Sequence, residues 1–128
     1  MSAAHPASRQ LSVWVVLVAL HSYAVGASLL FATEWGARLG GFGEVSPLFF
    51  ARQAGVFHFV LATAYLVDWF AHGSVVILLT AKTMAVLFLL ATWALGVNAW
   101  SVPLSAAGDA AMGAATILLA RRVSASPP

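Results

Sequence analysis

The residues able to do chemistry are few, and they stand in stretches that are otherwise oily. His58, Tyr65 and His72 follow one another at seven-residue intervals, with Asp68 close to the same line. At about 100° per residue, that spacing sets them on one stripe of a helix. Trp14, His21 and Ser28 make a second such stripe, and Ser105, Asp109, Met112, Gly113 and Thr116 share a face of a third segment. Lys82 is the one charge in a further apolar stretch. Two histidines at similar depth on neighbouring helices, such as His21 and His58, have the arrangement of axial haem ligands. In hydrocarbon every polar side chain is expensive, so each position is informative. Asp109 reads either as the neutralising partner of a cation or as a protonatable group on a substrate path.

These groups need helices to carry them. The first apolar run covers 11–32 and the second starts at Ser46 and Pro47, a cap residue followed by a proline, and ends near 70. The sequence His72-Gly73-Ser74 is a tight turn, which forces the next helix, 75–95, to lie beside the second. A fourth helix is expected over 104–120, stopped by Arg121 and Arg122. Each run is near the ~20 residues that span a bilayer core. A cleaved signal peptide competes for the first, but the run exceeds a signal core of roughly 7–15 residues. The glycine-rich segment 34–47 reads as a loop, and 1–10 and the Ser/Pro C-terminus as tails. Trp14, Trp35, Trp69 and Trp100 fall near helix ends, where indoles favour the headgroup zone. The expected fold is all-α: an integral membrane four-helix bundle, up-down-up-down, in one domain.

Polar faces should turn toward the bundle axis and form an internal seam of His21, Arg52, Gln53, His58, Tyr65, Asp68, Lys82 and Asp109. Depth sorts the partners. Asp109, Arg52 and Gln53 lie toward one end, so Asp109 is expected to face Arg52, with Gln53 or His58 as fallback. Asp68 and Lys82 flank the short turn and are expected to pair, the lysine stem reaching across. Small residues four apart (Ser22 and Gly26, Ala51 and Gly55, Ala81 and Ala85, Ala106 and Ala110) permit close backbone approach between helices.

Composition excludes several classes. Of the 128 residues 62% are hydrophobic and 8% charged, against about 25% charged in a soluble domain. A net charge of +2 from dispersed groups leaves no nucleic-acid footprint. The absence of cysteine removes disulfides, zinc–thiolate sites and thiol redox chemistry. No metal motif and no cofactor motif is present; haem through His21 and His58 is the one cofactor alternative. Arg9, Arg121 and Arg122 share one side of a four-span chain, opposite Arg38 and Arg52, a bias that favours both termini in the cytoplasm, and the many Ala, Val, Leu and Gly residues suit a bacterial genome and so a bacterial inner membrane.

The stretch 50–58, FARQAGVFH, has an arginine-then-glycine pattern at a helix start, and 108–113, GDAAMG, gives a small-residue fourth helix. With these segments, in a match of pattern that touches about a quarter of the chain, the sequence resembles the small DoxX-like membrane proteins. That resemblance implies a four-helix chain and, for some members, a role as membrane partner of redox enzymes; the histidine stripe is no part of the family pattern. The expected function is an accessory or interaction subunit with lipid, and a homo-oligomer or larger membrane complex, as partners. The alternatives are a membrane redox enzyme or electron carrier using His21 and His58, and an oligomeric small-molecule transporter. Small multidrug exporters have similar size but hold a glutamate within the first helix, whereas Glu34 stands at or beyond its end here.

Overall fold

A computed structural model describes residues 6–125. Its elements are α1 (Pro6–Phe31), α2 (Thr33–Leu39), α3 (Leu48–His72), α4 (Val76–Ala94) and α5 (Ser101–Ser124), with no strand among the described residues. All but α2 are long and apolar enough to cross a membrane by length and composition. The shortest, α4, has 19 residues and is about 28 Å long at 1.5 Å per residue, close to a ~30 Å hydrocarbon core.

The boundaries correct the sequence reading in four places. Residues 6–10 are helical, because Pro6 at the first position loses no intrahelical bond; residues 1–5 and 126–128, read as tails, lie outside the described residues. The expected loop 34–47 begins with α2, whose Glu34 and Arg38 sit one turn apart and pair at 3.5 Å. Pro47 is itself the cap residue of α3, which starts one residue later than expected and gains no side-chain cap bond. Finally, α5 starts at Ser101, with Pro103 tolerated in its first turn, and runs through Arg121 and Arg122 to Ser124. Cations in a last turn oppose the negative end of the helix dipole and extend a helix rather than stop it.

The turn at 73–75 is as expected. Gly73 takes a left-handed φ of 65°, and the N–H groups of Gly73 and Ser74 satisfy the carbonyls of Trp69 and Asp68. At the other end Ser101 donates to the Gly40 carbonyl and the Trp100 indole to the Leu39 carbonyl, tying the start of α5 to the end of α2.

Packing makes a ring. Helix α1 lies against α3 and α5, and α4 against α5 and α3, so α1 faces α4, and α3 faces α5, only across the middle. Contacts along α1 rise in number as those on α3 fall: Ser12 with Trp69, Tyr23 with Thr63, Gly26 with Gly55. The glycine pair is decisive. A Cβ on either would stand 2.8 Å from the other's carbonyl oxygen, so the two backbones touch. A core of Leu11, Val15, Val18, Tyr65 and Leu78 closes the end that holds the α3–α4 turn. Trp14 and Trp69, expected in the headgroup zone, are half-buried and point their indoles inward to Thr116 and Ser12, both at 2.9 Å.

Candidate functional site

Above that core the long helices line a chamber of about 560 Å³ that is open on one side, where His21, Phe88, Leu104 and Ser105 are exposed. Its polar lining is His21 from α1, His58 from α3, Lys82 from α4, and Ser105 and Asp109 from α5; Val25, Phe88, Leu89, Leu104 and Met112 supply apolar walls. Every long helix thus contributes. Gly108 faces the same space, and a Cβ there would meet nothing within 4 Å.

The floor is an ion pair. Lys82 Nζ donates to Asp109 Oδ1 at 2.6 Å, with side-chain exposures of 7% and 14%. The distance and burial are those of a charge-assisted bond shielded from water. Lys82 and Asp109 also line a groove of about 330 Å³ with Leu79, Val86 and Ile117, so the pair stands as a partition between chamber and groove. His58 keeps its Nδ1 buried and without a hydrogen bond.

Both expected pairings are overturned. Arg52 is exposed near the start of α3, and α3 does not pack on α5, so Arg52 and Asp109 never meet. Arg52 instead lines an outer groove with Glu34, Trp35 and Arg38. Gln53, beside it, is exposed too. Asp68 does not reach Lys82, because its carboxylate accepts the Ile77 N–H at 3.0 Å and caps the start of α4. That satisfies one of the donors a helix N-terminus leaves orphaned. Tyr65 is 3% exposed and belongs to the core, its hydroxyl bonded to Ser22. His72 is exposed at the end of α3. Of the expected seam, then, His21, His58, Lys82 and Asp109 converge, while Arg52, Gln53, Tyr65 and Asp68 do other work.

The Lys82–Asp109 pair had a readable signal. Counting equal distances from the loop at 95–100 sets Lys82 opposite Gly113, whose Cβ would lie 3.8 Å from that of Lys82. Asp109 is one turn from Gly113 on the same face, within reach of a lysine stem.

No group of three histidine, aspartate or glutamate side chains able to hold a metal ion occurs among the described residues. Chemically the chamber offers imidazole nitrogens, a hydroxyl and a self-neutralised ion pair above apolar walls. No protein-family model, curated protein or solved structure matches the chain.

Proposed function

We propose that the chain is an integral protein of the bacterial inner membrane, an up-down-up-down bundle with both termini cytoplasmic. It serves as a small accessory subunit that holds an amphipathic molecule within the bilayer. The observation that carries this reading is the chamber: its ~560 Å³ lies in the ordinary range of small-molecule sites, and its few polar groups stand among apolar walls. The outward faces support the bilayer setting. Phe50, Phe57, Phe70, Leu87 and Leu118 are each more than half exposed, and water would not tolerate so much apolar surface. The arginine-then-glycine segment at 52–55 supports a relation to the DoxX-like proteins, with Gly55 as the close-packing residue. Lipid is the first partner, and a homo-oligomer or larger membrane complex the second.

The test is mass spectrometry of small molecules that co-purify in mild detergent. The wild type should retain a lipophilic species that Gly108→Trp, which fills the chamber, loses while staying monodisperse. The same species on both, or none on either, would refute the reading.

A second reading has one observation in its favour: His21 and His58 line the same chamber. As haem ligands they would give an electron carrier. Our proposal expects no Soret band from protein purified with haem supplied. A band lost in both His21→Ala and His58→Ala would replace it.

A further inference from the structure

We infer that the chamber selects uncharged amphiphiles and rejects anions, and that the Lys82–Asp109 pair enforces this choice; the inference rests on the chamber being a binding site. The argument is one of charge balance. Among the described residues Lys82 and Asp109 are the only formally charged side chains lining the space, and they are bonded to each other at 2.6 Å. An anion seated beside Lys82 must either share the ammonium with Asp109 or displace it. Displacement leaves a carboxylate unpaired inside hydrocarbon, and sharing brings two anions together. A cation meets the mirror-image problem at Lys82. An uncharged molecule disturbs neither partner. Its polar head can still bond to the His21 ring, to the ring nitrogen of His58 other than the buried Nδ1, or to the Ser105 hydroxyl, while its body lies against Phe88, Leu89, Leu104 and Met112.

The preference therefore has a location and can be inverted. Removing the negative charge alone leaves Lys82 as an unopposed cation, which makes the chamber an anion site. Neutralising both partners restores the preference for uncharged molecules. Gly108 gives access to the same space from the backbone, because side-chain atoms added there enter open volume.

Two probes of one scaffold isolate charge from shape: N-phenyl-1-naphthylamine, which is neutral, and 1-anilinonaphthalene-8-sulfonate, which adds a sulfonate. Native mass spectrometry of the full chain released from detergent reads bound molecules directly. The wild type should hold one neutral probe and bind the sulfonate more weakly by a factor on the order of a hundred, the scale of burying a charge in a membrane helix. Asp109→Asn should gain sulfonate binding, and Lys82→Gln combined with Asp109→Asn should lose it again while keeping the neutral probe. Gly108→Trp should abolish both. Equal binding of the two probes by the wild type would overturn the inference, as would an Asp109→Asn variant that still refuses the sulfonate. Failure of either probe to bind any variant would instead remove the chamber as a site, and with it the proposed function.

Discussion

At the scale of single residues, the account turns on Lys82 and Asp109. Breaking a buried pair strands a charge, which costs more than the pair itself contributes. Lys82→Leu or Asp109→Leu should each destabilise the detergent-solubilised protein by about 3 kcal/mol, and the double variant should recover part of that loss. Arg52→Leu should change stability by less than about 0.5 kcal/mol, because its side chain is exposed and does not meet Asp109. Unfolding in mild detergent reads all four variants, and additive leucine effects in the Lys82–Asp109 double-mutant cycle would separate the two residues. The sequence made these residues conspicuous, since charges in apolar stretches cannot be accidental in hydrocarbon. Depth alone misassigned their partners, because depth along a helix says nothing about which helices are neighbours, whereas counting outward from the 95–100 connection sets Lys82 against the face of Asp109. Arg52 and Asp109 match in depth and fail in adjacency.

Helices are where the sequence was most legible. Four apolar runs, the Gly73 turn and the small residues at 26 and 55 all lead to the elements observed. The boundaries were not as clear, for a physical reason: hydropathy marks where lipid-like residues stop, whereas a helix continues as long as its backbone is satisfied, as at Pro6 and through Arg121 to Ser124. The α1–α3 contact gives a direct test. Gly26→Ala places a methyl 2.8 Å from the Gly55 carbonyl oxygen, with no rotamer to relieve it. A loss of about 1–3 kcal/mol is expected, against little change for Gly108→Ala, where the added atom meets nothing. Equal effects in thermal unfolding would mean that α1 and α3 are not in backbone contact. The start of α4 should likewise depend on Asp68. Asp68→Ala should cost roughly 1 kcal/mol and Asp68→Asn less, since the amide oxygen still accepts from Ile77; a larger loss for asparagine than for alanine would contradict the capping role.

On the scale of the whole molecule, the proposal is a bundle with its termini and the α3–α4 turn on the cytoplasmic side and α2 on the other. The chain has no native cysteine, so single substitutions report without background. An impermeant thiol reagent on intact cells should label Glu44→Cys and Asn98→Cys but not His72→Cys, all three sites being exposed; labelling confined to position 72 would invert the topology. The chamber within that bundle is the central claim, and cysteine at Gly108 tests it most directly. A thiol reacts as its thiolate, which water entering the chamber allows at position 108 and lipid does not at position 118. With N-phenylmaleimide on isolated membranes, Gly108→Cys should therefore react readily while the lipid-facing control Leu118→Cys stays unmodified. Equal inertness of the two would show that the space beside Lys82 is filled in the membrane, and would contradict the account.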